Sequence, residues 1–102
     1  MTDELKKSLE AINNNLENLG NLYNVKKIGI FGSVAQGRQT KKSDVDILVE
    51  FSQPVSFFKF IDLEDKLSTM LKKKVDLATK KALKPIIKKQ ILKEIVYAQK
   101  KH

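Results

Sequence analysis

Three acidic residues and one Gly-Ser pair are the residues of this sequence whose types and spacing could do chemistry. Gly32 and Ser33 are followed, after ten residues, by Asp44 and Asp46, and Asp76 lies in a later apolar segment. Glycine lets the chain turn tightly, so that a phosphate can approach main-chain N–H groups, and the serine hydroxyl can donate a further hydrogen bond. Mg²⁺ usually takes one or two carboxylates together with substrate phosphates. The set therefore predicts metal-assisted phosphoryl chemistry.

Three predicted strands position these residues. Residues 26–31 are rich in β-branched and aromatic side chains and predict a strand that ends at Gly32, with a short helix over residues 33–36 after it. Residues 44–51 predict a second strand, in which Asp44 and Asp46 share one face while the apolar residues between and after them point into the core. Residues 74–79 predict a third strand, with Asp76 on the face opposite its apolar neighbours. Three acids on neighbouring strands could hold two metal ions.

Three longer helices complete the predicted fold. An apolar stripe over residues 5–19 predicts a helix that Thr2 or Asp3 caps and Gly20 ends. Helical periodicity continues in residues 56–71, and Pro85 fits the first turn of a last helix that ends near Ala98. The order of elements predicts an α/β (α+β) fold, a small mixed sheet of three or four strands with helices packed on one side. At 102 residues, the chain 1–102 is expected to be a single domain.

The stretch GSVAQGRQTKKSDVDILVEF carries a resemblance to a known family. It is similar to the G-S-x-A-x-G…S-D-x-D signature of the minimal nucleotidyltransferases of the polymerase beta superfamily, a group that includes antitoxins of the MntA type. The resemblance covers roughly residues 25–97. It implies a polymerase-beta-like nucleotidyltransferase fold. It also implies that Gly32 and Ser33 hold a nucleoside triphosphate, and that Asp44, Asp46 and Asp76 bind two Mg²⁺ ions and serve catalysis.

The resemblance further implies what the chain acts on. The expected reaction transfers AMP from ATP to a tyrosine hydroxyl of a cognate HEPN-type ribonuclease toxin, which this chain would silence as its antitoxin. Larger members of the superfamily use extra domains to grip their acceptors. A chain of this length is therefore expected to receive its acceptor on a separate protein.

One position departs from the family signature and keeps other functions open. Many members carry Arg directly before the second glycine, where this chain has Gln36, and Arg38 two residues later is the candidate substitute for binding nucleotide. Gln cannot supply positive charge to the phosphates, so lower triphosphate affinity or a lower rate is expected. A binding antitoxin with a vestigial nucleotide site is one alternative. Nucleotide addition to RNA is another.

Composition and charge limit the partners. Residues 52–102 hold thirteen lysines against five acids, so the net charge of +8 lies in the second half. Nucleic acid binding is possible but not favoured, because the basic residues are nearly all lysine and the aromatic residues follow the apolar periodicity. Cysteine is absent, which excludes thiol catalysis and thiolate zinc sites. No segment has the apolar length of a membrane span, and the N-terminus lacks signal-peptide character, so a cytoplasmic protein is expected.

Overall fold

Four α-helices and four strands alternate along the part of the chain that the structure, a computed structural model, describes, residues 2–100. In chain order the elements are α1 (Asp3–Tyr23), β1 (Val25–Phe31), α2 (Gly32–Ala35), β2 (Val45–Phe51), α3 (Phe57–Leu71), β3 (Val75–Thr79), α4 (Pro85–Glu94) and β4 (Val96–Tyr97). A short 3-10 turn at Lys80–Ala82 separates β3 from α4. None of the helices among these residues is both long and apolar enough to cross a membrane.

The sheet is mixed and has the strand order β3-β2-β1-β4. The central strand β1 pairs antiparallel with β2 on one side and with β4 on the other, and β2 pairs parallel with β3. Because β1 runs against β2 and β3, the last residue of β1 and the first residues of β2 and β3 meet at one edge of the sheet. The small mixed sheet of the predicted fold class is confirmed.

Helices α1 and α3 supply the apolar cover of the sheet. Alternate residues of β2, namely Val45, Ile47 and Val49, are fully buried in the same cluster as Leu63 and Leu67 of α3. The buried positions of α1 in that cluster are Leu5, Leu9, Ile12 and Leu19. Steps of three and four along a helix place these side chains on one face, so the apolar stripe predicted over residues 5–19 packs into the core.

The first helix begins as predicted but ends later. The Thr2 hydroxyl accepts a hydrogen bond from the Leu5 N–H at 3.3 Å, which caps the helix start. Gly20 does not end the helix, because it stays helical and the chain leaves the helix only at Asn24, with φ of 58°. Asparagine tolerates this left-handed conformation better than most residues, so it can replace glycine as the helix stop.

The prediction of a last helix running to Ala98 was wrong. Helix α4 stops at Glu94, and Val96 and Tyr97 form an edge strand against β1, opposite Ile30 and Gly29. The Ala98 N–H extends this pairing by donating to the Ile28 carbonyl at 2.9 Å. The free edge of β1 offers hydrogen bonds that a helix cannot satisfy, and β-branched and aromatic residues suit the strand.

Candidate functional site

The predicted Gly-Ser pair and the predicted acids come together at one edge of the sheet. Asp46 of β2 lies directly opposite Phe31, the last residue of β1, on one side and opposite Asp76 of β3 on the other. Gly32 and Ser33 follow Phe31 at once as the start of α2. The strand register therefore places Asp46 between the Gly-Ser turn and the third acid.

Gly32 lies against the Asp46 carboxylate at this edge. Its φ is +75°, a conformation that side-chain-bearing residues rarely adopt. A Cβ built at Gly32 would overlap Oδ2 of Asp46 and would lie 3.0 Å from its carboxyl carbon. Glycine is required here for two reasons at once, the backbone angle and the carboxylate that lies against the turn.

Negative charge is concentrated around Asp46. Burial, and after it the nearby carboxylates of Asp76, Asp44 and Glu94, raises the pKa of the Asp46 carboxyl above its ordinary value of 3.8. The Lys74 ammonium forms an ion pair with Asp44 at 4.0 Å from Oδ2, but the Lys74 side chain is 80% exposed. An ion pair so exposed contributes little. The site thus carries clustered negative charge that a bound cation would relieve.

Glu94 is the acidic neighbour that the sequence interpretation missed. The last residue of α4, it lies beside Asp46 and its Oε1 accepts a hydrogen bond from the Gly32 N–H at 3.3 Å. One feature of the sequence could have pointed to Glu94. It is the one acidic residue among residues 77–102, in a segment otherwise rich in lysine. The wrong extension of the last helix hid its position at the sheet edge.

Arg38 lies in the loop that leaves α2 and reaches Gln36. Its guanidinium donates to the Gln36 side-chain carbonyl, and its backbone N–H donates to the Ser33 carbonyl at 2.8 Å. The loop turns at Gly37, where φ is +72°. Gln36 therefore holds Arg38, which is the only arginine of the sequence. Both side chains are exposed to solvent.

The donor set suits a hard divalent cation shared with a ligand. Among residues 2–100, no three Asp, Glu, His or Cys side chains converge tightly enough to enclose a metal ion by themselves. Mg²⁺ ordinarily binds one or two carboxylates and completes its octahedron with water and substrate phosphates. Asp44 and Asp46 are such a pair, and the crowded charge around Asp46 fits a cation at this position.

A cleft lies elsewhere on the described residues. It has a volume of about 780 Å³ and lies at the opposite end of β2, where its lining includes Phe51, Phe57, Phe60, Lys80 and Lys88. The predicted acids do not line it. The sheet edge at Gly32 and Asp46 is the candidate site because of its chemistry, since it joins backbone donors to a set of carboxylates.

Two sequence relatives are similar to most of the chain. A protein of Methanocaldococcus jannaschii with a provisional protein adenylyltransferase name is 54% identical over 76 residues, which are 74% of this chain and 78% of that protein. The protein adenylyltransferase MntA of Thermococcus cleftensis is 47% identical over 75 residues, 74% of this chain and 76% of its own.

Three solved structures share the fold. A structure provisionally described as a minimal nucleotidyltransferase has a TM-score of 0.75 at 28% identity and covers 88% of this chain and 92% of its own. A toxin–antitoxin complex with AMP-PNP has a TM-score of 0.68 at 23% identity, covering 99% and 76%. A tri-AMPylated Shewanella oneidensis HEPN toxin in complex with its MNT antitoxin has a TM-score of 0.63 at 20% identity, covering 91% and 73%.

The family match covers nearly the whole chain and includes every residue of the candidate site. The nucleotidyltransferase domain family matches residues 9–98, which contain the Gly-Ser turn, the three predicted acids and Glu94. Together with relatives well above 30% identity, this match establishes membership. The chain belongs to the nucleotidyltransferase domain family.

Proposed function

We propose that this chain is a protein adenylyltransferase that transfers AMP from ATP to a tyrosine hydroxyl of a HEPN-type ribonuclease toxin and so acts as its antitoxin. The observation that carries the proposal is the contact of the Asp46 carboxylate with the Gly32–Ser33 turn, beside Asp76 in register. This contact sets a phosphate-binding turn next to carboxylates that can take a divalent cation. Phosphoryl transfer needs both in one place.

Each residue of the sheet edge has a role in the proposed reaction. The Ser33 hydroxyl and the N–H groups of the turn hold the β- and γ-phosphates, and Arg38 in the adjoining loop adds positive charge. Asp44 and Asp46 would hold two Mg²⁺ ions, with Asp76 as a ligand of one of them. When bound, Mg²⁺ supplies neutralising charge to the triphosphate and to the attacking oxygen.

The proposed chemistry is an in-line displacement at the α-phosphorus. The acceptor hydroxyl oxygen forms a bond to the α-phosphorus while the bond from that phosphorus to the bridging oxygen of the β-phosphate breaks. AMP passes to the acceptor and pyrophosphate leaves. Asp76, which is exposed to solvent, takes the proton of the attacking hydroxyl. The turn at Ser33 stabilises the negative charge that develops on the leaving pyrophosphate.

The nature of the acceptor rests on the relatives. Sequence relatives at 54% and 47% identity carry protein adenylyltransferase names, which support a protein hydroxyl as the acceptor. A solved complex of an AMPylated HEPN toxin with an MNT antitoxin contains a chain of the same fold. This complex supports a HEPN-type toxin as the partner. The AMP-PNP of another toxin–antitoxin structure of this fold supports ATP as the nucleotide.

The position of the labelled phosphate in ATP tests the proposed transfer of AMP. Purified chain, Mg²⁺ and a HEPN-type toxin are incubated with ATP labelled either at the α- or at the γ-phosphate. AMP transfer predicts that the toxin gains label from α-labelled ATP alone, and that Asp44→Asn/Asp46→Asn abolishes the transfer while the complex still forms. Label from the γ-phosphate would instead show a kinase reaction and would contradict the proposal.

The same double variant separates catalysis from simple binding. If the Asp44→Asn/Asp46→Asn chain still neutralises the toxin, neutralisation depends on covering the partner and the nucleotide site is vestigial. If label from α-labelled ATP enters RNA rather than protein, the acceptor is RNA. In that case the binding of RNA to the lysine-rich surface should weaken steeply with salt.

A further inference from the structure

We infer that Glu94 is a positioning residue, which fixes the Gly-Ser turn against Asp46 so that the turn can hold a triphosphate. The inference rests on the proposed function and adds to it a residue from the last helix. No part of the Gly-Ser signature or of the predicted acid trio contains this residue.

The Gly32 peptide is held from two directions. Glu94 Oε1 accepts the Gly32 N–H at 3.3 Å, and the Asp46 carboxylate lies against the Gly32 Cα, where a Cβ would otherwise be. The hydrogen bond spans 62 residues of sequence, so it ties the C-terminal segment to the turn. Glu94 therefore restrains the Gly32 N–H, directly before Ser33. The N–H and the hydroxyl of Ser33 itself are the groups proposed to bind phosphate.

The backbone around Glu94 is itself firmly placed. The next residue, Ile95, lies over Gly29 of β1, so closely that a Cβ at Gly29 would come within 2.8 Å of its side chain. Beyond it, Val96 and Tyr97 pair with β1. Since β1 also leads directly into Gly32, the sheet fixes both ends of the Glu94–Gly32 contact. A rigid support of this kind is what keeps a binding group in its productive geometry.

A carboxylate at this position also has an electrostatic cost. Glu94 adds to the negative charge around Asp46, so its charge opposes both the ionisation of Asp46 and the approach of a triphosphate. A residue that acted through charge alone would be better replaced by a neutral one. The hydrogen bond to the turn is the contribution that the charge does not supply, and glutamine can accept the same bond.

Two substitutions separate the hydrogen bond from the charge. Glu94→Gln keeps an acceptor of the same shape without the charge, and Glu94→Ala removes both. The readouts are the dissociation constant of AMP-PNP with Mg²⁺ by calorimetry, and the amide signal of Gly32 by NMR in the nucleotide-free protein. Asn13→Ala is the matched control, since the Asn13 side chain accepts the Gln99 N–H at 2.8 Å and ties down the same C-terminal segment away from the site.

A positioning role for Glu94 predicts different AMP-PNP affinities for the three variants. Glu94→Ala weakens AMP-PNP binding by about tenfold, the loss expected of one long hydrogen bond to a charged group, and shifts the Gly32 amide signal. Glu94→Gln and Asn13→Ala bind within about threefold of the wild type, since neither removes the restraint on the turn.

Three results would overturn the inference. Wild-type affinity in Glu94→Ala shows that the turn needs no such support. Equal weakening in Glu94→Gln and Glu94→Ala shows that the charge matters, as it would for a metal ligand. Equal weakening in Asn13→Ala shows a general loosening of the C-terminal segment. If instead the wild type itself binds no AMP-PNP with Mg²⁺, the proposed function fails, and the Gly32 amide signal alone still tests the contact.

Discussion

Replacing Gly32 with alanine should disrupt the candidate site more than its backbone angle alone explains. Gly37, in the loop that follows α2, offers a matched control, because its φ of +72° nearly equals the +75° of Gly32. A Cβ at Gly37 would meet only the methyl end of Thr2, at 3.1 Å, whereas a Cβ at Gly32 would overlap the Asp46 carboxylate. The difference between the two alanine variants therefore isolates the contact between the turn and Asp46.

The expected magnitudes follow from these two terms. A left-handed backbone costs an L-residue about 1–2 kcal/mol, which should be most of the loss of unfolding free energy in Gly37→Ala, because only the Thr2 methyl group has to shift slightly. Gly32→Ala should lose about 1–3 kcal/mol more, the usual cost of forcing extra volume into a filled space. Its affinity for AMP-PNP with Mg²⁺ should also fall by at least tenfold, because Asp46 must move, while Gly37→Ala keeps wild-type affinity.

Urea denaturation followed by circular dichroism and calorimetric titration of AMP-PNP measure the two effects. Equal loss of unfolding free energy in Gly32→Ala and Gly37→Ala would show that Asp46 does not press against the turn. Normal AMP-PNP affinity in Gly32→Ala would refute the link between this contact and nucleotide binding.

Three further predictions concern stability and charge. The folded-state pKa of Asp46 is raised above its unfolded value, so the stability that Asp46 contributes is full below pH about 3.8 and is lost as the pH rises through the folded-state pKa. Asp46→Asn should therefore raise the melting temperature at pH 7 but match the wild type near pH 3, and a constant difference at both pH values would contradict this. Gly20→Ala should raise the unfolding free energy by about 0.5–1 kcal/mol in urea titrations, because Gly20 is helical and a Cβ there meets only the Val25 carbonyl at 3.4 Å. Arg38→Ala should raise the KM for ATP a few-fold with little change in kcat, because a loop cation binds phosphate equally in the ground and transition states. A fall in kcat alone would contradict this, because it would show that Arg38 stabilises the transition state.

Local sequence patterns indicated the Gly-Ser pair and the acids that the fold brings together, but they missed the end of the last helix. The Gly-Ser pair, the strand alternation at Asp46 and the strand of Asp76 are all local, so they could be read directly, and the register of β1, β2 and β3 then brings them together. The metal arrangement and the nucleotide role of Arg38 stay predictions. Arg38 contacts Gln36 in the structure, a pairing that spacing alone did not indicate.

The end of the last helix and the role of Glu94 depend on distant contacts. Helical periodicity alone extends α4 through Val96 and Tyr97, and only the open edge of β1 makes a strand the better solution. The contact between Glu94 and Gly32 joins residues 62 positions apart, which no local pattern encodes.

The central claim is that the sheet edge at Gly32 and Asp46 binds a divalent cation together with a nucleoside triphosphate. Crystals grown with AMP-PNP and Mn²⁺, which takes oxygen ligands as Mg²⁺ does, would locate the cation by its anomalous signal. We expect Mn²⁺ against the carboxylates of Asp44 and Asp46, with the triphosphate on the turn at Ser33. Mn²⁺ and nucleotide bound away from this edge, for example in the cleft at Phe57 and Lys88, would contradict it.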